Sequence, residues 1–142
     1  MSTQWPQAGV NDVGTYLISG VPFVTNGTVG ATATKVSFPT VTKDVSVKNT
    51  ATGGATVLIV AFTENGLNDN PSGTNRRFFL REGELREMNV RIKELWLSGS
   101  VGAPTFDVIA GLTHVMPSQL PTITGSIPSG STNAPPLFQG VG

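Results

Sequence analysis

The alternation of apolar and polar positions predicts a chain built mainly of strands. Lys35-Val36-Ser37-Phe38 alternates and stops at Pro39. Residues 41–50 read VTKDVSVKNT, which sets Val45 and Val47 on one face and Asp44, Ser46 and Lys48 on the other. Such period-2 alternation marks a strand with one face on a core and the other toward water. Residues 55–63 form a near-continuous apolar, β-branched run, the pattern of a central strand. Arg77-Phe78-Phe79-Leu80-Arg81 is a short alternating strand closed by Gly83. In residues 105–113, Phe106, Val108, Ala110 and Leu112 share one face, while Asp107, Ile109, Gly111 and Thr113 share the other. Residues 16–19 and 21–24 give weaker strand signals.

The connections carry turn chemistry. Thr52-Gly53-Gly54, Asn65-Gly66, Asn68-Asp69-Asn70-Pro71-Ser72-Gly73 and residues 98–104 supply Gly, Pro, Asn and Asp where the chain must reverse. Asn26-Gly27-Thr28 fits a glycosylation sequon, but it reads better as an Asn-Gly turn. Several short strands separated by turns predict an all-β fold, a single antiparallel β-sandwich of jelly-roll-like type.

Residues 84–97, ELREMNVRIKELWL, support two readings. Leu85, Met88, Ile92 and Leu95 recur at helical spacing, on residues that favour helix. Met88 to Lys93 alternates instead with period 2, and the phase then changes between Ile92 and Leu95. A β-bulge at Lys93-Glu94 would absorb that change, and strand is the preferred reading.

Beyond His114 the chain becomes Pro-rich and loses all charge. Proline cannot donate to a central ladder, so residues 116–142 read as an extended C-terminal arm. Leu120, Ile123, Ile127, Leu137 and Phe138 are apolar anchors along it. Residues 1–14 read as a shorter N-terminal arm carrying Trp5, and residues 15–115 as the sandwich domain.

Composition narrows the function classes. The 142 residues include nine Lys or Arg and nine Asp or Glu, giving a formal net charge of zero. A neutral chain lacks the basic footprint expected of a nucleic-acid binder. Without Cys, and with one His, it has no disulfide framework, thiol nucleophile or usual zinc set. Residues 57–62, the longest apolar run, fall far short of a membrane span. Met1 to Pro6 shows no basic stretch leading into an apolar run, so it does not read as a signal peptide.

Candidate chemistry is sparse. His114 would have to serve any Ser-His-Asp triad, with Asp12, Asp44, Asp69 or Asp107 behind it, yet no Gly-x-Ser-x-Gly elbow presents a serine. Asn68-Asp69-Asn70 offers oxygen ligands to calcium, but only one carboxylate. Glu82, Glu84 and Glu87 interleave with Arg81 and Arg86, which favour the ionised carboxylate over a general acid. No glycine loop of the phosphate-binding kinds is present. The sequence therefore predicts no enzyme, no cofactor and no metal.

The charges are unevenly placed. Ten lie between Arg76 and Glu94, while none precedes Asp12 and none follows Asp107. Long uncharged ends point to surfaces that meet another protein. Arg76, Arg77, Arg81 and Arg86 are interface candidates, because a guanidinium binds carboxylates bidentately. An intramolecular ladder of cross-strand pairs explains the same cluster. The full set of interface candidates adds Trp5, Leu120, Ile123, Leu137 and Phe138.

An ordered series of segments resembles the small virion structural proteins of tailed bacteriophages, especially capsid decoration (cement) proteins. These are residues 18–24 (ISGVPFV), 34–39 (TKVSFP), 41–49 (VTKDVSVKN), 92–98 (IKELWLS), 110–114 (AGLTH) and 122–126 (TITGS). The resemblance implies a sandwich bound to the outer surface of a capsid, after synthesis in the host cytoplasm. It further implies a homo-oligomer, trimeric by preference, whose partner is the major capsid protein. It implies no active site, nucleic acid or membrane. A tail, collar or fibre component and a carbohydrate-binding sandwich remain alternatives.

Overall fold

The computed structural model describes residues 20–67 and 76–120. Eight strands form two four-stranded sheets: β1 (Val21–Thr28), β2 (Thr34–Ser37), β3 (Thr42–Asn49), β4 (Val57–Ala61), β5 (Arg77–Arg81), β6 (Leu85–Met88), β7 (Glu94–Val101) and β8 (Thr105–Leu112). The first sheet runs β1-β8-β3-β6 and the second β2-β7-β4-β5, with every neighbouring pair antiparallel. The protein is thus an all-β sandwich. β1 pairs with β8, β2 with β7, β3 with β6 and β4 with β5. The chain behaves as one long antiparallel hairpin, folded so that successive pairs fall in opposite sheets.

The core lies where the inward rows of the two sheets meet. Val45, Val47, Phe106, Val108, Ala110 and Leu112 come from the first sheet. Val36, Leu58, Val60, Leu80, Leu95 and Leu97 come from the second. These are the positions that alternation placed on a common face in β3 and β8. β4 lies between β7 and β5 and is the central strand its apolar run predicts. Its outward residues, Ile59 and Ala61, are covered by α1 (Glu64–Leu67), a single helical turn whose Leu67 packs against them. The Thr63 hydroxyl starts that turn by accepting the Gly66 N–H at 2.9 Å, which fixes the Asn65-Gly66 reversal as helical.

Three expectations change. Residues 84–97 are neither a helix nor two strands around a bulge. β6 ends at Met88 in the first sheet, residues 89–93 cross the sandwich, and β7 begins at Glu94 in the second. The change of phase between Ile92 and Leu95 belongs to that crossing. Both residues are buried, at 4% and 0% exposure, but their segments belong to different layers. Register irregularities lie elsewhere: one at the far end of β7, where Val57 faces Val101 but Leu58 faces Gly99, and one in β3, where the register with β8 shifts between Thr42 and Asp44. One extra residue there turns Thr42 inward, out of phase with Val45 and Val47.

Asn26-Gly27-Thr28 is not a turn but the end of β1. Gly27 stands opposite Phe106, and a β-carbon on Gly27 would lie 3.3 Å from that ring. The missing side chain makes room for the aromatic one, which explains a glycine inside a strand.

The third change concerns the boundary of the C-terminal arm. Residues 117–119 form a 3₁₀ turn, and Leu120 is buried with Val41 and Val115 in a small cluster. Packing continues beyond residue 115. Residues 1–14, and the arm from residue 121 onward, lie outside the described residues, as do the strand signal at 16–19 and the Asn68–Asn70 loop.

Candidate protein-contact surfaces

The charged stretch does not form one face. β5 and β6 are edge strands of opposite sheets, joined by the Glu82-Gly83 turn, so they build no cross-strand ladder with each other. Arg77 and Arg81 lie opposite Ala61 and Val57 in the second sheet. Arg77 donates from Nη1 to the Leu67 carbonyl at 2.7 Å, and its guanidinium lies 5.5 Å from the Phe79 ring centre. That places Arg77 as a clamp on α1. Arg86 pairs in register with the inward Val47, and its guanidinium lies 5.9 Å from the centre of Phe78. Since Phe78 belongs to the second sheet, Arg86 closes the open side of the sandwich between the two edge strands. Arg76 sits half-buried just ahead of β5, and Arg81 is exposed.

The carboxylates of the same stretch hold turns. Glu82 Oε1 accepts the N–H of Gly54 at 2.9 Å and of Thr56 at 3.0 Å, while Oε2 accepts that of Gly53 at 3.2 Å. The Thr56 hydroxyl also donates to Oε1, at 3.3 Å. This bracket holds the β3–β4 connection, in which Gly53 and Ala55 both adopt positive φ. The backbone N–H of Thr56, then that of Gly54, hold the Glu82 carboxyl below its usual 4.5, partly offset by desolvation. Glu84 Oε2 accepts the Arg81 N–H at 2.7 Å across the β5–β6 turn. Glu82 and Glu84 therefore work as structural acceptors.

Other polar groups are spent in the same way. Asn49 is fully buried; its Nδ2 donates to Leu80 O at 3.1 Å and its Oδ1 accepts the Ala51 N–H at 3.1 Å. Asp44 Oδ1 accepts the Gly111 N–H at 3.1 Å. His114 is exposed just after β8. Among the described residues, no group of three His, Cys, Asp or Glu is placed to hold a metal ion. Among those residues, too, no helix is long and apolar enough to cross a membrane.

Of the remaining interface candidates, Leu120 is 7% exposed and belongs to the domain's own packing, tied further by Lys93 Nζ at 3.4 Å from its carbonyl. Trp5, Ile123, Leu137 and Phe138 lie outside the described residues. The exposed apolar surface that the structure does present was not singled out from sequence. Val24 and Ile109, 64% and 53% exposed, are cross-strand neighbours on the outer face of the first sheet. Phe79, 49% exposed, stands on the outer face of the second beside Ile59.

No family model matches this chain. No curated protein matches it. Among solved structures, one chain from a study of Bacillus endospore appendages, described there as forming a novel family of disulfide-linked pili, is similar to it. That likeness has a TM-score of 0.39 and 20% identity, over 65% of this chain and 86% of that one.

The outward strip of Val24 and Ile109 was legible only in part. Alternation set Ile109 opposite the core row, but nothing local said that β1 would lie beside β8. The Glu82 bracket was less legible still, because its partners are 26 to 29 residues away.

Proposed function

We propose that this protein is a structural component of a tailed-phage particle, bound to the outside of the capsid and holding neighbouring major capsid subunits together. The observation that carries this reading is the ordered series of segments that resembles decoration proteins. Within the described residues those segments supply the start of β1, β2, β3, the start of β7 and the end of β8. They meet at one end of the sandwich, where Phe38 N–H donates to Lys93 O, Thr42 N–H to Ile92 O and Thr113 N–H to Val41 O. The nested strand pairing supports a jelly roll, an architecture that viral capsid domains use.

On this reading function is contact rather than catalysis, and the chain acts as a homo-oligomer, with a trimer the favoured form. Binding would draw on many copies, each burying area across a subunit boundary. One or both of the arms read from the sequence, residues 1–14 and 116–142, would supply the contact by pairing with the capsid as an added strand. Antibody labelling of purified particles, followed by a cryo-electron map, tests the placement. Density on the outer head is expected; label confined to the tail or collar would make the protein another virion part. Removing residues 127–142 tests the C-terminal arm, since unchanged capsid binding would exclude it.

A further inference from the structure

Among the described residues the sandwich has four edge strands, and they are not alike. β2 has four residues and carries Lys35; β5 has five, with an Arg at each end; β6 has four and carries Arg86 and Glu87. Short, charged edges resist pairing with another chain. β1 has eight residues, VPFVTNGT, and no charge.

The backbone direction along β1 follows from one bond beyond its end. Val29 N–H donates to Pro104 O at 3.0 Å, continuing the register in which Thr28 faces Thr105. In an antiparallel ladder every second residue bonds the same neighbour. Val21, Phe23, Thr25 and Gly27 therefore bond toward β8, while Pro22, Val24, Asn26 and Thr28 direct their backbone groups away from it. Pro22 falls in the outward set, where its missing N–H removes no bond to β8. Among the described residues, no strand pairs with that outer edge. The exposed Val24–Ile109 strip runs beside it.

We propose that the outer edge of β1 is a self-association surface, pairing antiparallel with β1 of a second copy about a two-fold axis. An uncharged strand meets its own copy without like-charge repulsion. The contact is isologous, each edge offering donors and acceptors to the other. It makes a continuous eight-stranded sheet from two four-stranded ones and brings the two Val24–Ile109 strips together. This goes beyond the capsid reading and does not depend on it: the two-fold contact is distinct from the three-fold one that reading favours, and would join chains of separate trimers where both form.

Sedimentation velocity on the full chain over a range of concentrations tests the proposal without any capsid. The unaltered protein should form a reversible dimer. Asn26→Pro removes only an outward N–H, and Val24→Lys places a charge at the centre of the edge. Each should raise the dimer dissociation constant by about tenfold or more, the scale of a lost ladder bond and apolar contact. Circular dichroism should remain that of the unaltered chain. Because the protein has no Cys, Asn26→Cys gives a clean crosslinking probe that holds even where Asn26→Pro perturbs folding. A short bis-maleimide, whose reach spans an offset of a few residues between the two copies of position 26, should yield covalent dimers from Asn26→Cys and not from Glu87→Cys on the opposite edge. A chain that stays monomeric at every concentration overturns the proposal. So does association, as dimer or trimer, that Val24→Lys leaves unchanged, or equal crosslinking at both edges.

Discussion

The Thr42 hydroxyl accepts the N–H of Ile92 at 3.0 Å, fifty residues along the chain, and donates to Val90 O at 2.7 Å. Thr42 N–H in turn donates to Ile92 O at 3.0 Å. One buried side chain thus satisfies the backbone of the segment that crosses between the sheets, where no ladder is available to do so. Thr42→Val keeps the shape and removes the hydroxyl, leaving those groups unpaired. We expect a loss of about 1–3 kcal/mol in unfolding free energy by chemical denaturation. A variant as stable as the parent would show that the crossing is held by packing alone.

Gly20 and Gly111 make a contrasting pair. A β-carbon on Gly20 would lie 2.7 Å from the Gly111 backbone, which cannot yield. A β-carbon on Gly111 would meet the Asp44 carboxylate at 2.8 Å, and that side chain can rotate aside. Gly20→Ala should therefore lower stability by about 1–3 kcal/mol, and Gly111→Ala by less. Thermal melts of both variants check the order; a reversal would mean that the Asp44–Gly111 bond matters more than the backbone approach.

Glu82 gives the fold an acid-sensitive turn. Its folded-state pKa is depressed, so its contribution is fully present above the ordinary value of 4.5. That contribution fades as pH falls from there through the lower folded-state value. Glu82→Gln should melt below the parent at neutral pH, and the gap should narrow steadily on acidification below 4.5. The measurement is the melting temperature of both proteins from neutral to acid pH. A gap of constant size would remove the carboxylate from the explanation.

Leu120 carries the domain's packing past residue 115. Buried against Val41 and Val115, it should cost about 2–3 kcal/mol when changed to Ala, near the low end for a buried leucine because the cluster is small. Truncation after residue 120 should leave the melting temperature within a degree or two of the full chain, since it keeps the Val41–Val115–Leu120 cluster whole. Equal losses from both changes would place further stabilising contacts beyond Leu120.

The rows of β3 and β8 could be read directly because a strand's facing has period 2, and that period is local. Val45, Val47, Phe106 and Val108 are core residues for the same reason that they alternate. The helical spacing from Leu85 to Leu95 arose by joining two strands of different sheets, which no local window can separate. Asn26-Gly27 imitated a turn because the reason for its glycine, the Phe106 ring, lies nearly eighty residues away.

The sequence by itself determined the strands, the turns and the identity of most core residues, since each depends on neighbours a few positions apart. It also set the neutral charge and the absence of thiol chemistry, which hold whatever the fold. Only the tertiary structure decided which strands are edges, that the arginines of β5 and β6 divide between two sheets, and that Glu82 and Thr42 are braces. Those outcomes depend on strand pairing across tens of residues, and the order in which β-strands pair is set by the packing of the whole sandwich.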